Sequence, residues 1–386
     1  MAQDSYTEVT NESWFSRIGN SIKGILVGIV LFLVAFPLLF WNEGRAVKTY
    51  KTLKEGAGKV VTIDSQTVDP ANNGKLVHLT GKATTDERLT DDLFDVSANA
   101  IKLKRQVQMY QWKEQKKSKK RKKVGGSTET VTTYNYTKAW SSGPINSDSF
   151  KKISGHENPK QMAVSNERIT ANDVTLGAFD LSNSLVQKID AYEKLGVDDT
   201  AKIPESLSDE VKNYNGGFYY GANPASPAIG DLKVTFQAVK PQEVSVISQQ
   251  IGNTFEPFLS KTGKKLEMIE AGVFSAEAMF EQAKKENVMM TWILRGVGFL
   301  LMFIGLNFVL KPLSVVADVL PFLGNLVGTA TGFVAFLLAA FCAIVVIAIA
   351  WIVYRPLLGI ALLIVAGAIA YYIKVVSDRK KEAVAQ

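Results

Sequence analysis

The chain has 386 residues, enough for two or three compact units. Its mean hydropathy is slightly positive, at +0.06, although 21% of its residues are charged. This combination is typical of chains that concentrate apolar residues in membrane segments and charges in a polar domain. The net charge of +7 suits either nucleic acid or anionic lipid, and the single cysteine, Cys342, excludes an intrachain disulfide.

The first apolar stretch, residues 24–42, follows an N-terminal tail of residues 1–23 and contains no charged side chain. At about 1.5 Å per residue it nearly matches the roughly 30 Å hydrocarbon thickness of a bilayer. The stretch ends in PLLFWNEG, which lacks the small residues of a signal-peptidase site. We therefore expect an uncleaved signal anchor that forms the first transmembrane span.

Residues 43–286 form a polar insertion in which hydropathy alternates with a period of two. IKLKRQVQMYQWKE and TETVTTYNYTKAW predict a hairpin, and GDLKVTFQAVKPQEVSVISQQ predicts another that turns near Lys240-Pro241. Helices are predicted over SNSLVQKIDAYEKLG and over FSAEAMFEQAKKENVMM, which runs into the second span. The expected fold class is α+β, with four transmembrane helices and a large, mostly β extramembrane domain with juxtamembrane helices between spans one and two.

The C-terminal third contains three further apolar stretches. In chain order the predicted segments are span two (287–310), an interfacial loop (311–326), span three (327–353), a turn with span four (354–373) and a basic tail (374–386). Four spans place both termini on one side of the membrane and the insertion on the other. The cations of the tail favour cytosolic termini, because basic flanks stay in the cytosol, whereas Arg45, Lys48, Lys51 and Lys54 after span one favour the reverse. We expect cytosolic termini.

The junction FPLLFWNEGRAVKTYKTLKEG places cations and apolar residues every three positions after the first span. On a helix this pattern forms an apolar stripe, which either lies at the lipid headgroups or packs against the domain. Asn42 and Glu43 are expected to cap or bond the neighbouring stem, and Arg295 to snorkel to the interface. The predicted membrane-interface residues are Trp41, Arg45, Lys48, Lys51, Lys54, Trp292, Arg295 and Arg355.

Glycines recur in the apolar stretches at spacings that let helix backbones approach closely. Packing within one chain and self-association into a homo-oligomer both remain open from this pattern. The predicted helix-packing residues are Gly24, Gly28, Gly298, Gly305, Gly328 and Gly332.

The basic run KEQKKSKKRKK, residues 113–123, separates two alternating strands. We interpret it as a solvated hairpin tip, with contact to lipid or an acidic partner as the alternative. Nucleic-acid binding is not expected, because no aromatic residue that stacks on bases is interleaved with the charges.

Catalytic, metal-binding and cofactor-binding residues are not predicted. The chain has two histidines, His78 and His156, and no nucleophile elbow, phosphate-binding loop or dinucleotide fingerprint. His78 alternates within a strand pattern, and His156 is expected to orient a loop. The sequence therefore favours a protein that is not an enzyme.

A set of short stretches resembles, in family order, the LUMA family, transmembrane protein forty-three of animals. These stretches are NEGRA (42–46), KLKRQVQMYQW (102–112), GHENP (155–159), GDLKVTF (230–236), FSAE (274–277), MFIGLN (302–307) and YRPL (354–357). The family-motif residues carried by this resemblance are Asn42, Glu43, Gly44, Arg45, Tyr110, Trp112, His156, Asn158, Pro159, Tyr354 and Pro356.

The resemblance implies a four-span protein that self-associates and organises membranes without catalysis. It implies nuclear-envelope partners such as emerin and lamins in a eukaryote, where the location is the endoplasmic reticulum or inner nuclear membrane, and the inner membrane in a bacterium. Our leading hypothesis is a multi-pass membrane scaffold that presents its domain to proteins or lipids. The alternative is a channel or a lipid-handling transporter, for which Asn307, Thr329 and Thr331 are the polar candidates.

Overall fold

The computed structural model describes residues 4–198, 203, 205, 210–357 and 364. The chain divides into two compact units. The sheet unit consists of Met1–Thr10, Glu55–Lys119 and Thr130–Glu281. The helix unit consists of Asn11–Lys54, Lys120–Glu129 and Gln282–Gln386.

The larger sheet contains eight strands among the described residues, in the order β1-β7-β6-β14-β13-β12, with β8 beside β6 and β11 beside β14. These strands are β1 (Ser5–Glu12), β6 (Lys102–Lys122), β7 (Thr128–Ser141), β8 (Glu167–Thr170), β11 (Glu193–Leu195), β12 (Val211–Tyr214), β13 (Gly217–Tyr220) and β14 (Leu232–Val239).

The second sheet contains seven strands in the described part of the chain, in the order β10-β9-β3-β15-β16, with β2 beside β3 and β19 beside β15. They are β2 (Val61–Thr62), β3 (Leu76–Thr84), β9 (Thr175–Leu176), β10 (Phe179–Asp180), β15 (Gln242–Ile251), β16 (Thr254–Glu256) and β19 (Met268–Ala271). Two short ladders pair β4 (Arg88–Asp91) with β5 (Val96–Asn99), and β17 (Phe258–Leu259) with β18 (Lys265–Leu266).

Alternation of apolar side chains builds the core of the sheet unit. β6 and β14 pair antiparallel, with Val107 opposite Val234, and both side chains are fully buried. The ring of Phe94 stacks on Phe218 with centroids 4.9 Å apart. The predicted turn at residues 240–241 links β14 to β15. The α+β class, with a large and mostly β domain, is therefore confirmed.

The N-terminal segment differs from the separate tail expected for residues 1–23. Its strand β1 pairs with β7 at the edge of the larger sheet, and the amide of Tyr136 donates to the carbonyl of Asp4 at 3.0 Å. Residues 5–12 alternate little in hydropathy, so pairing with a distant strand decides their conformation, and a local pattern does not.

The helix predicted over residues 182–196 is wrong beyond its first turns. Helix α2 covers Asn183–Lys188, and β11 then pairs with β14, with Leu195 opposite Phe236. Backbone pairing to a buried strand overrides the weak helical pattern of this segment.

Three long helices among the described residues are apolar enough to cross a membrane: α1 (Trp14–Ala57), α3 (Ala276–Ala317) and α4 (Pro321–Tyr354). Helix α1 continues through the junction without a break, and only residues 318–320 separate α3 from α4, where a loop of 311–326 was expected. The predicted fourth span and basic tail lie outside the described residues, apart from residues 354–357 and 364.

Candidate membrane-anchoring site

A buried carboxylate in the C-terminal half of α1 joins the three helices. Glu43 is fully buried and accepts hydrogen bonds from Nε and Nη2 of Arg295 on α3, at 2.6 and 2.9 Å. The indole Nε1 of Trp351 on α4 donates to the same carboxylate at 2.8 Å. We call Glu43, Arg295 and Trp351 the Glu43 cluster. A bidentate, charge-assisted pair of this kind is strong where water is excluded.

Arg295 therefore has a partner inside the bundle as well as the stem length needed to snorkel. Its guanidinium lies over the rings of Trp292 at 4.7 Å and Trp351 at 5.7 Å. The buried ion pair is costly to desolvate, so it contributes only because the two charges bond each other and Glu43 also accepts from Trp351.

Side-chain hydrogen bonds continue the contact between α1 and α3 on the next turn, and we call the four residues that make them the amide ladder. Asn42 donates to the carbonyl of Thr291 at 3.0 Å, and Asn287 donates to the carbonyl of Ala46 at 3.0 Å. The guanidinium of Arg45 donates to Asn287 Oδ1 at 3.1 Å and to Thr291 Oγ1 at 3.0 Å. The ladder comprises Asn42, Arg45, Asn287 and Thr291.

Gly44 lies beside these contacts, at a position where α1 and α4 approach too closely for any side chain other than hydrogen. A Cβ at this position would lie 2.6 Å from Cζ of Tyr354. The ring of Tyr354 also packs on Phe40, with centroids 5.2 Å apart. The NEGR motif thus supplies a buried charge, two ladder residues and a close approach.

The predicted helix-packing glycines divide into two groups. Gly28 and Gly305 lie against each other, and a Cβ on Gly28 would be 2.6 Å from the carbonyl oxygen of Gly305. A Cβ on Gly298 would clash with the side chain of Leu39. A Cβ on Gly24 would meet no atom within 4 Å, and those on Gly328 and Gly332 would meet one atom each, at 3.6 and 3.7 Å.

A second polar cluster lies at the other end of the bundle, and sequence reasoning missed it. Asp318, 1% exposed, pairs with Arg17 on α1 and with Nζ of Lys122 at 2.6 Å. Lys122 also donates to Asn325 Oδ1 at 2.8 Å. We call Arg17, Lys122, Asp318 and Asn325 the Asp318 cluster. The available signal was that Asp318 is the only acidic residue in positions 287–377.

Most of the basic run is exposed, as expected for a solvated segment, but it forms part of strand β6, and the far end of the β6–β7 hairpin contacts helices. The indole of Trp14 donates to the carbonyl of Val315 at 2.9 Å, and the amide of Gly125 donates to the carbonyl of Val319 at 3.0 Å. Gly126, with φ of +78°, lies against the ring of Trp14. A side chain at Gly126 would be strained in this left-handed conformation and would also clash.

Five of the remaining motif residues lie in the sheet unit and stabilise loops there, whereas Pro356 follows α4 in the helix unit. His156 is buried and bonds through Nε2 to Asp4 Oδ2 at 2.8 Å. Asn158 accepts from the amide of Trp112 at 2.7 Å and donates to the carbonyl of Trp112 at 2.9 Å. The ring of Tyr110 packs on Trp140 at 5.1 Å. Pro159 follows Asn158 in the same loop.

Known proteins with similar sequences identify the family of this chain. The chain matches the sequence pattern of the family described as transmembrane protein 43 over residues 109–356. It is 36% identical to human transmembrane protein 43 over 365 residues, which covers 92% of this chain and 89% of the relative. It is 30% identical to the transmembrane protein 43 homolog of Drosophila melanogaster over 364 residues, covering 90% and 92%.

The chain belongs to the transmembrane protein 43 family. The family resemblance expected from the motifs is therefore confirmed, and the chain is a membrane protein of that family. No solved structure matches it.

Among the described residues, no group of three or more potential metal ligands occurs. Burial and the hydrogen bond to Glu114 raise the pKa of Tyr136 to about 12, so this phenol stays neutral and anchors the amide of Lys152 at 2.9 Å.

Proposed function

We propose that the chain is a non-catalytic membrane scaffold that self-associates and presents its sheet unit for protein or lipid interaction. The observation that carries this proposal is the use of polar groups in the helix unit. Most polar groups of the Glu43 cluster, the amide ladder and the Asp318 cluster bond to other groups of the bundle, although Nε of Arg45 is buried without a partner. The charged groups therefore fix helices together. A scaffold needs such a fixed bundle, whereas a pore needs polar groups that face a pathway.

The polar side chains between the clusters support the scaffold over a channel. Asn307 donates to the carbonyl of Phe303 at 2.8 Å, Thr329 to that of Asn325 at 3.0 Å, and Thr331 to that of Val327 at 2.9 Å. Each therefore bonds to its own helix, as hydroxyls and amides in apolar helices commonly do. A channel or transporter formed by the bundle stays the second candidate.

The mass of the protein in mild detergent tests self-association. We expect native mass spectrometry to give a multiple of the 42.3 kDa chain mass plus bound lipid. A strictly monomeric protein across detergents would contradict the scaffold. In liposomes we expect no ion conductance, and a robust current that Asn307→Ala abolishes would favour the channel instead.

For orientation, we infer that residues 5–12 lie on the same side of the membrane as the sheet unit. Strand β1 is hydrogen-bonded into the larger sheet, and Glu8 pairs with Lys151 at 2.8 Å within that unit. A single crossing by α1 would separate β1 from the domain. The inference therefore differs from the four-span expectation, in which the N-terminus lies opposite the insertion.

A designed disulfide tests this orientation in isolated membranes. The hydroxyl oxygens of Thr7 and Thr133 are 3.4 Å apart, so Thr7→Cys with Thr133→Cys, in a Cys342→Ser background, should form an intrachain disulfide on oxidation. The control pair Thr10→Cys with Thr133→Cys is out of register and should not. Thr7→Cys that stays reduced, and reacts with an impermeant thiol reagent from the side opposite the domain, would refute the inference.

The proposed partners are membrane lipids and further copies of the chain. Nuclear-envelope proteins, with a location in the endoplasmic reticulum or inner nuclear membrane, are proposed for a eukaryotic source, and the inner membrane for a bacterial one. Fractionation of the source cells, followed by proximity labelling, checks both.

A further inference from the structure

A cavity of about 760 Å³ opens in the helix unit beside the last turns of α4. Its lining includes three cations, Lys51, Lys54 and Arg355, together with the rings of Tyr50 and Tyr354. Lys51 and Lys54 are three residues apart on α1 and so share one face of that helix. The lining residues include no carboxylate.

These three cations are exposed, and none pairs with a carboxylate of the described residues. Two other cations of the bundle behave differently, since Arg17 and Arg295 each pair with a buried acid. Three cations without a carboxylate partner thus surround this concave surface. Its charge complements an anion.

An apolar groove of about 590 Å³ lies between α3 and α4. On α3, Val288 lines the cationic cavity, and Trp292 and Phe299, which lie four and eleven positions further on, line the groove. On α4, Trp351 lines the groove and Tyr354, three positions further on, lines the cavity. The same helix faces thus lead from the cations into the groove.

The groove has no unpaired charge of its own. Arg295 lines it, but both oxygens of Glu43 neutralise this guanidinium. The remaining lining is aromatic or aliphatic, and includes Ile344 and Ile347. Such a surface suits an alkyl chain, whereas the cavity with three cations suits a phosphate.

We propose that the cavity and groove bind one anionic glycerophospholipid, with the phosphate at Lys51, Lys54 and Arg355 and an acyl chain along α3 and α4. The occupant is a membrane lipid and not a soluble phosphate, because the groove supplies the apolar half of the site. This deepens the proposed scaffold role by naming the lipid class that it recognises.

The test uses the delipidated full-length protein in mild detergent, with phosphatidylglycerol and phosphatidylcholine of identical acyl chains as probes. Native mass spectrometry should show one tightly retained phosphatidylglycerol per chain. The double change Lys51→Gln with Lys54→Gln should weaken its binding by about fivefold per cation and leave phosphatidylcholine unchanged. Lys48→Gln is the matched control, because Lys48 is an exposed cation on the same helix that does not line the cavity.

A substitution in the groove tests the proposed binding of the acyl chain. A Cβ on Gly296 meets no atom within 4 Å, so Gly296→Leu fills the groove without a clash and should weaken both lipids. Gly19→Leu, which is equally unhindered but outside the groove, should change neither.

Several results would overturn the proposal: equal retention of both lipids by the wild type, a loss for Lys48→Gln as large as for the double variant, or no effect of Gly296→Leu. Displacement of phosphatidylglycerol by millimolar inorganic phosphate would identify a soluble anion site instead. Lipid is counted on each chain, so a strictly monomeric protein that still retains phosphatidylglycerol would refute the scaffold and not the lipid site.

Discussion

The Glu43 cluster and the Asp318 cluster each pair a buried carboxylate with an arginine, at opposite ends of one helix bundle. Arg17 and Glu43 are 26 residues apart on α1 (43 − 17), or about 39 Å along the helix. The side chain of Glu43 is fully buried, and its partners Arg295 and Trp351 lie on α3 and α4. Asp318 shares its charge between a buried Arg17 and a Lys122 whose side chain is 30% exposed. One basic partner at the Asp318 end, Lys122, is therefore more exposed than Arg295 at the Glu43 end, whose side chain is 15% exposed.

Glu43→Ala should have the largest effect on stability. It leaves the guanidinium of Arg295 buried without its anion, which costs about 3–5 kcal/mol in comparable sites. Unfolding of the purified protein by SDS titration should measure this loss. The double change Glu43→Leu with Arg295→Met removes both charges, so it should recover most of the stability. If Glu43→Ala lowers stability as little as the double change does, the Glu43–Arg295 pair is hydrated in the folded protein.

Asp318→Ala should cost less, at most about 3 kcal/mol, because water rehydrates Lys122 and the buried Arg17 keeps its hydrogen bond to the carbonyl of Gly126. The same SDS titration reports the difference from Glu43→Ala. The matched control is Lys120→Ala, which removes an exposed pair with Glu12 at 3.7 Å and should change stability little. A loss for Asp318→Ala equal to that for Glu43→Ala would remove the contrast between the two ends.

The apolar zone between the clusters provides a third comparison, using two glycines one helical turn apart. Gly28→Val places carbon atoms against the backbone of Gly305, at 2.6 Å from its carbonyl oxygen, and should cost about 1–3 kcal/mol through forced separation of α1 and α3. Gly24→Val adds the same side chain where no atom lies within 4 Å. Equal midpoints for the two variants in SDS titration would contradict the packing of α1 on α3.

The sequence predicted those parts of the molecule whose pattern is local. Uninterrupted apolar runs indicated the helices, and alternation around residues 240–241 located the β14–β15 hairpin. The Asp318 cluster was missed because its members are distant in the chain, with Arg17 separated from Asp318 by 301 positions and Lys122 by 196. Strand β1 was missed for the same reason, since its pairing with β7 leaves no pattern in residues 5–12. Glu43 was singled out together with Asn42, because a polar pair at the end of an apolar run was expected to cap or bond the neighbouring stem.

Protonation of His78, which lies in the sheet unit and in neither cluster, should have the smallest effect on stability. His78 is 5% exposed, bonds through Nε2 to the carbonyl of Phe274 at 2.9 Å, and lies 3.3 Å from the hydroxyl of Thr62 through Nδ1. Burial lowers the pKa of His78 below its usual 6.5, although the hydrogen bond to Phe274 opposes the shift. The unfolded chain therefore binds a proton more readily than the folded one.

Stability contributed by the neutral His78 is present above pH 6.5 and is lost as the pH falls below that value toward the lowered folded-state pKa. We expect Tm to fall by about 2–4 °C, the shift that roughly 1 kcal/mol produces in a unit of this size. His78→Gln removes the titrating group, so the part of the acid-induced fall in Tm that begins at pH 6.5 should disappear. Scanning fluorimetry of both proteins between pH 5 and 8 decides the point, and parallel curves would exclude His78 as the source of the pH dependence.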